Sequence, residues 1–133
     1  MSASDWRLLA GAAAAQVVTA YALRLASLPR LRASAARLRP LACVLLAGSD
    51  DKVIWAIEAT GRRLRGLSTC LVRAVVVEMR LGSAERPLRF EIGVKRGSDG
   101  ALQSHAWVRE GDRVLTGGPV DDLLPMVAWE HAA

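Results

Sequence analysis

Apolar side chains recur every three to four residues through the first part of the chain, which is the spacing of amphipathic α-helices. An Ala- and Leu-rich stretch predicts one helix from about Leu8 to Leu28. Two further periodic stretches predict helices over about Lys52 to Leu64 and about Cys70 to Leu81. Ser68 and Thr69 precede the last of these and are candidates for its N-cap. The first part of the chain is therefore predicted to be helical.

The second part of the chain carries a different period. From Leu88 to Lys95 apolar residues alternate with polar ones, which predicts a strand with one buried face. A second strand is predicted over about Leu102 to Arg109, and the turn residues Glu110 to Arg113 predict a hairpin to a short antiparallel strand. The tail, residues 120–133, is predicted to close as a helix or as an edge segment. Helices followed by an antiparallel sheet indicate an α+β fold.

Positive charge is concentrated at the N-terminal end. Residues 1–40 hold six Arg and one Asp, whereas residues 41–133 hold twelve charged side chains of each sign. We interpret 1–40 as an Ala- and Arg-rich helical segment that packs on the core or on a partner, and 41–133 as the core of a single domain. The sequence lacks the basic patch with interleaved aromatic residues that is typical of nucleic-acid-binding proteins, so nucleic acid is not expected as a partner.

Between Pro29 and Pro40, which are predicted to interrupt the helical segment, Arg residues alternate with Leu and Ala at near-helical spacing. This basic stretch is either a solvated helix face or a docking surface for a partner protein, an acidic peptide or a membrane surface. We expect it to contribute to the docking of a partner protein. Its arginines are Arg30, Arg32, Arg37 and Arg39.

The number of cysteines and the N-terminal apolar stretch indicate where in the cell the protein is expected. Cys43 and Cys70 are too few for a disulfide framework. Arg7, Gln16 and Arg24 interrupt the apolar stretch, which argues against a signal peptide or a membrane span. A cytoplasmic location without membrane association is therefore expected. The Cys and His residues lack the close spacing of a zinc site, so no metal is expected either.

Cys70 and His105 are candidates for a nucleophile and its general base. The first turn of a helix presents unpaired amides and the positive end of the helix dipole, which stabilise a thiolate and a neighbouring oxyanion. His105 lies on a predicted strand and shares a face with Trp107, while Ala106 and Val108 point towards the core. The helix-then-sheet order allows the start of the third predicted helix to lie against this strand. Purely structural roles for both residues remain alternatives.

Three short motifs resemble the transglutaminase-like cysteine peptidases of lasso-peptide biosynthesis. They are Cys-Leu-x-Arg-Ala at Cys70 to Ala74, Ile-Gly-Val at Ile92 to Val94, and His-Ala-Trp-Val at His105 to Val108. The resemblance extends over 63–118. It implies a papain- or transglutaminase-like fold with the cysteine at a helix N-terminus and the histidine on the sheet, so that Cys70 is the nucleophile and His105 the general base.

The same resemblance implies an enzyme that removes the leader from a ribosomally made lasso-peptide precursor, by hydrolysis of an acyl-enzyme and without a cofactor. It corresponds to the stand-alone protease form, for which a small separate leader-recognition protein delivers the precursor and a lasso cyclase is a further partner. Two alternatives remain open: a non-catalytic peptide-binding scaffold of the same fold, and acyl transfer to an amine as in transglutaminases.

The third catalytic position departs from the family pattern. The family often places an Asp twelve residues after the histidine, and this chain has Gly117 there. We favour Asp121 as the group that orients the imidazole of His105. Asp122, a backbone carbonyl or a water molecule are alternatives, since the third group mainly sets the tautomer and orientation of the ring.

Overall fold

The computed structural model describes residues 2–96, 99–118 and 124–130, in which helices precede an antiparallel sheet. This order confirms the predicted α+β fold. The helices are α1 (Ala3–Leu25), α2 (Leu28–Ala33), α3 (Ala35–Leu45), α4 (Asp50–Leu64) and α5 (Cys70–Leu81), and a 3₁₀ turn (Arg65–Leu67) follows α4. The strands are β1 (Arg89–Arg96), β2 (Leu102–Glu110), β3 (Arg113–Thr116) and β4 (Leu124–Glu130).

The two prolines of the basic stretch have different positions. Pro29 lies in the first turn of α2, where a missing N–H costs nothing because that amide has no helical partner. Pro40 lies inside α3, so the prediction that it interrupts the helical segment was wrong. A proline in a helix interior costs about 3 kcal/mol. The helix continues past Pro40 because Ala42 and Leu46, which follow the proline, are buried in the protein core.

The sheet is antiparallel with the strand order β3-β2-β1-β4. Within the tail, which was predicted to form a helix or an edge segment, Leu124–Glu130 form the edge strand β4. Phe90, Val108 and Thr116 are neighbours in register, so their side chains share one face. Thr116 donates a hydrogen bond to Glu58 of α4, and the guanidinium of Arg32 lies over the Phe90 ring. This face of the sheet is therefore the one that the helices cover.

One buried hydrophobic cluster joins the helices to the sheet. Leu8 and Ala12 of α1 belong to it together with Ile57 of α4, Val77 of α5 and Phe90 of β1. Fully burying a side chain of the size of Leu or Ile contributes about 1.5–3 kcal/mol. Helix α5 contacts α1, α3 and α4 as well as β2 and β3, so it is the element through which the two layers pack.

Helix α1 is long and apolar enough to cross a membrane when judged by length and composition alone. About 33% of its most apolar 18-residue stretch is buried inside the protein, whereas a core helix of a water-soluble domain, which passes the same test, is mostly buried. Signal sequences near an N-terminus pass the same test. The helix is therefore weak evidence for a membrane span.

Arg86, in the loop before β1, connects the start of α4 to the end of β2. Its Nη1 lies 2.7 Å from Oδ2 of Asp50. Its Nε and Nη2 donate hydrogen bonds of 2.7 and 2.9 Å to the carboxylate of Glu110. The hydrogen bonds from Arg86 hold the pKa of Glu110 below its ordinary value.

Replacing Glu110 by Gln is expected to lower the free energy of unfolding at neutral pH by less than about 1 kcal/mol, because both side chains are partly exposed. The depressed pKa of Glu110 means that its contribution exists above the pKa of the unfolded chain and is lost as the pH falls through the folded pKa. Urea unfolding should therefore show a difference between wild type and E110Q at neutral pH that narrows at about pH 3. A difference of the same size at both pH values would contradict the linkage.

Candidate active site

Cys70 is the first residue of α5, where the sequence predicted the helix to begin. Thr69 is the N-cap: its Oγ1 accepts a hydrogen bond of 3.2 Å from the amide of Val72. The thiol is free and half-buried, and it packs against the edge of the core cluster. The amides at the start of a helix have no helical carbonyl to bind, so they are free to donate hydrogen bonds to an anion beside this sulfur.

A buried glutamine holds the loop in front of Cys70. Gln16 of α1 is fully buried, and its amide donates hydrogen bonds to the carbonyl of Ile57 at 3.2 Å and to Oγ1 of Thr60 at 2.8 Å. Its carbonyl oxygen accepts a hydrogen bond from the hydroxyl of Ser68. Ser68 was a candidate cap for α5, but its side chain binds Gln16 and leaves the capping role to Thr69. The loop that leads into Cys70 is thereby fixed to α1 and α4.

Arg73, in the first turn of α5, continues this network towards the sheet. Its Nη1 donates a hydrogen bond of 2.8 Å to the carbonyl of Ser68, and its Nε lies 3.8 Å from the carboxylate of Glu58. Glu58 in turn accepts a hydrogen bond of 2.5 Å from Thr116 at the end of β3. A Cβ at Gly61 would approach Oγ of Ser68 to 2.8 Å, so the close packing of α4 on this network requires glycine there.

His105 lies on β2, and its ring is held by the backbone at the end of β3. Nε2 lies 2.5 Å from the carbonyl oxygen of Gly117. A carbonyl only accepts hydrogen bonds, so Nε2 carries the proton and Nδ1 of the neutral ring keeps its lone pair. Gly117 has a φ of +89°, and a Cβ there would lie 2.5 Å from the carbonyl oxygen of Ala106. Only glycine fits so close to β2 in this conformation.

The imidazole and the thiol are not in contact. Among the residues that the structure describes, no hydrogen bond joins Sγ of Cys70 to the ring of His105. Val108 faces the helices, so alternation along β2 turns His105 and Trp107 to the opposite face, where their ring centroids are 6.2 Å apart. Polar contacts through Arg73, Glu58 and Thr116 connect the start of α5 to the end of β3. Thr116 directly precedes Gly117, whose carbonyl contacts His105.

The helical start at the cysteine, the histidine on the second strand and the order of helices and strands all agree with one protein family. A family model described as the transglutaminase-like superfamily matches residues 7–128. The chain belongs to this superfamily. It includes cysteine proteases and acyltransferases. No curated protein and no solved structure matches the chain.

In this member of the transglutaminase-like superfamily, Gly117 stands where the motif resemblance implies an Asp. Its carbonyl contacts the imidazole, so the backbone supplies one of the interactions that we considered for orienting the ring. Asp121, which we favoured from the sequence, lies outside the described residues, and so does Asp122.

The sequence did not point to the residues that position the start of α5. Gln16 interrupts an apolar helix, and that interruption was the only signal that it has a polar partner inside the protein. Glu58 and Thr116 lie on elements that were correctly predicted, but nothing in their spacing indicated that they meet.

Replacing Gln16 by Leu is expected to lower the free energy of unfolding by about 1–3 kcal/mol, because the Ser68 hydroxyl and the Ile57 carbonyl lose a buried partner while the volume is nearly kept. Urea unfolding measures the loss. The matched control is Gln103→Leu on the exposed side of β2, which should stay within about 0.5 kcal/mol of wild type. Equal stability of Q16L and wild type would show that the network does not stabilise the fold.

Within the described part of the chain, no group of three or more His, Cys, Asp or Glu side chains is arranged to hold a metal ion.

The buried carboxylate of Glu91, on the strand paired with the one that carries His105, binds Trp107 and Arg109. Glu91 accepts a hydrogen bond of 3.1 Å from Nε1 of Trp107 and pairs with Arg109 at 2.6 Å. These contacts fix the Trp107 ring against which the imidazole of His105 stacks.

Proposed function

We propose that this protein is a cysteine peptidase that removes the leader from a ribosomally made lasso-peptide precursor. The observation that carries the proposal is the position of Cys70 as the first residue of a capped helix in a chain of the transglutaminase-like superfamily. The motif resemblance at Cys70, Ile92 to Val94 and His105 supports the narrower choice of substrate. A helix start of this kind provides both a stabilised thiolate and amides for an oxyanion.

The proposed reaction begins with transfer of the thiol proton of Cys70 to Nδ1 of His105. The thiolate attacks the carbonyl carbon at the junction of leader and core, and the amide of Cys70 donates a hydrogen bond to the oxyanion. The imidazolium returns its proton to the leaving amine as the C–N bond breaks. Water then attacks the thioester, giving up a proton to His105, and the thiol is regenerated. These steps use side chains and backbone amides of this chain alone.

The first step requires the imidazole and the sulfur to meet. They lie on different sides of β2, so the reaction includes a rearrangement of the strand end around Gly117 that brings Nδ1 to Sγ. Catalytic hydrogen bonds are often long in a free enzyme and tighten when substrate binds. We propose that binding of the precursor drives this rearrangement, and that Asp121 or the Gly117 carbonyl then orients the ring.

Substrate delivery is part of the proposal. The precursor peptide binds with a small leader-recognition protein, the enzyme acts in the cytoplasm, and a lasso cyclase receives the released core peptide. We leave Arg32 out of the proposed docking surface, because it forms a two-point ion pair with the buried carboxylate of Glu78 at 2.8 and 2.6 Å. Of the basic stretch, only Arg30, Arg37 and Arg39 are available to a partner.

A second candidate function is a non-catalytic peptide-binding scaffold of the same fold. The observation that favours it is the separation of Cys70 and His105 on the two sides of β2. A third, acyl transfer to an amine, uses the same two residues and differs only in the acceptor of the acyl group. Substrate turnover distinguishes the first from the second, and product mass distinguishes hydrolysis from transfer.

The experiment is incubation of the protein with a candidate precursor and its leader-recognition protein, followed by mass spectrometry. Peptidase activity releases leader and core fragments whose masses together exceed that of the precursor by one water. A product that retains the amine instead of water indicates acyl transfer. An intact precursor that still binds the protein would contradict the peptidase proposal and support the scaffold.

A further inference from the structure

The helical layer exposes an apolar surface that the proposed chemistry does not use. The large apolar side chains that are exposed, among those whose burial is described, lie on α1, α3 and α4. We call this surface the apolar face. Its members are Trp6, Val18, Tyr21, Leu25, Leu38, Leu41, Val44 and Trp55.

The centre of the apolar face is the solvent-facing stripe of α1. Exposed residues recur there every three or four positions, which places them on one side of the helix. Apart from Arg7 and Arg24, the exposed residues from Trp6 to Leu25 are apolar, although the outward stripe of a surface helix is normally polar. Leu25 is 89% exposed and Val18 is 65% exposed. The stripe consists of Trp6, Ala10, Ala14, Val18, Tyr21 and Leu25.

Two grooves extend the apolar face to both sides of α1. A groove of about 130 Å³ lies between α1 and α3, where Val18 and Leu41 contribute to its walls. A wider groove of about 370 Å³ lies between α1 and α4, with Trp6 and Trp55 in its walls. The apolar face is therefore continuous across three helices.

From Trp6 to the end of α3 the charges beside the apolar face are all arginines, whereas at its α4 edge Asp5 is paired with Lys52 and Asp51 with Arg113. From Trp6 to Ser49 the sequence contains six Arg and no Asp or Glu. Arg30 and Arg37 are exposed beside it, and the guanidinium of Arg24 lies over the Tyr21 ring at 5.3 Å. Exposed aliphatic side chains, aromatic rings and arginines without intervening acids are the composition of surfaces that bind anionic lipid.

We propose that the apolar face docks on the surface of a bilayer that contains anionic lipid, with the aliphatic side chains in the boundary between head groups and acyl chains. A second copy of this chain is a poorer occupant, because it would bring two sets of arginines together. A single partner helix would fill one groove, whereas the apolar side chains stand on both sides of α1 and on its outer ridge. This inference goes beyond the proposed peptidase function and does not depend on it.

The test is flotation of the full chain with vesicles of phosphatidylglycerol and phosphatidylcholine in equal amounts. Wild type should float with these vesicles at low salt, and added salt or vesicles of phosphatidylcholine alone should reduce binding. The double variant L25E/V44E should lower the partition coefficient at least about tenfold, because two exposed apolar side chains are replaced by charges of the lipid's own sign. The double variant A101E/Q103E adds the same charge at exposed positions of the sheet layer and should bind as wild type does.

Circular dichroism shows whether both double variants keep their helices, and all four changed positions are exposed. Wild type that stays with the unbound fraction at low salt would overturn the proposal. Equal loss of binding in the two double variants would also overturn it, since the effect would then follow net charge and not the apolar face. Sedimentation of wild type as a dimer that L25E/V44E abolishes, without vesicle binding, would assign the face to a second copy instead. Wild type that neither binds vesicles nor forms a dimer would overturn the proposal and would assign the apolar face to a protein partner.

Discussion

Replacing Cys70 by Ala is expected to lower the rate of precursor cleavage at least about a thousandfold. Removing the attacking atom of a covalent mechanism leaves only the contributions of binding and of the oxyanion-stabilising amides. The fold should survive, because the half-buried side chain loses a single sulfur at the edge of the core cluster. Cleavage is followed by mass spectrometry with saturating precursor and leader-recognition protein.

The control for this experiment is Cys43→Ala. Cys43 is the chain's other cysteine, is also free and half-buried, and lies on α3. C43A should cleave at the wild-type rate. A C70A variant that cleaves as fast as C43A would remove Cys70 from the mechanism, while loss of activity in both variants would indicate damage to the fold.

Replacing His105 by Asn is expected to lower the rate of precursor cleavage by about a hundredfold to ten-thousandfold, the usual contribution of a positioned general base. The same change should slow alkylation of Cys70 by iodoacetamide at neutral pH in the presence of precursor, because the imidazole no longer takes the thiol proton. Both measurements are made in the C43A background, so that one thiol reacts.

His131→Asn, which removes the chain's other histidine, is the matched control and should change neither rate. An H105N variant with wild-type alkylation and wild-type cleavage would mean that His105 remains on the far side of β2 as a packing partner of Trp107. Slow cleavage with unchanged alkylation would place its role after formation of the thiolate, in the transfer of a proton to the leaving amine.

The described helices and strands were largely predictable because each follows from local chemistry. The limits predicted for α5 agree with the structure at both ends, because apolar residues at helical intervals follow Thr69, a residue that caps helices. The alternation from Leu88 onwards predicted β1 within one or two residues. Pro40 was misjudged because a local preference of about 3 kcal/mol was outweighed by burial of residues further along α3.

The candidate site was less predictable, because it depends on register. Near the end of β3 the pairing with β2 is irregular between Val108 and Arg109, and this irregularity sets which residue of the following loop reaches the ring of His105. The residue that reaches the ring is Gly117, through its carbonyl oxygen. A bulge of one residue leaves no clear mark in the sequence, since any flexible turn tolerates it.

What the sequence determined by itself is the type and order of α1, α4, α5 and the first three strands, including the helix start at Cys70 and the strand that carries His105, because propensity, capping and periodicity act over a few neighbouring residues. The tertiary structure decided which polar groups meet: Gln16 with Ser68, Arg73 with Glu58, and the imidazole with the Gly117 carbonyl instead of the thiol. It also decided that apolar side chains of α1 face outwards. These outcomes depend on how helices pack and on how strands pair, and both are set by residues that are far apart in the chain.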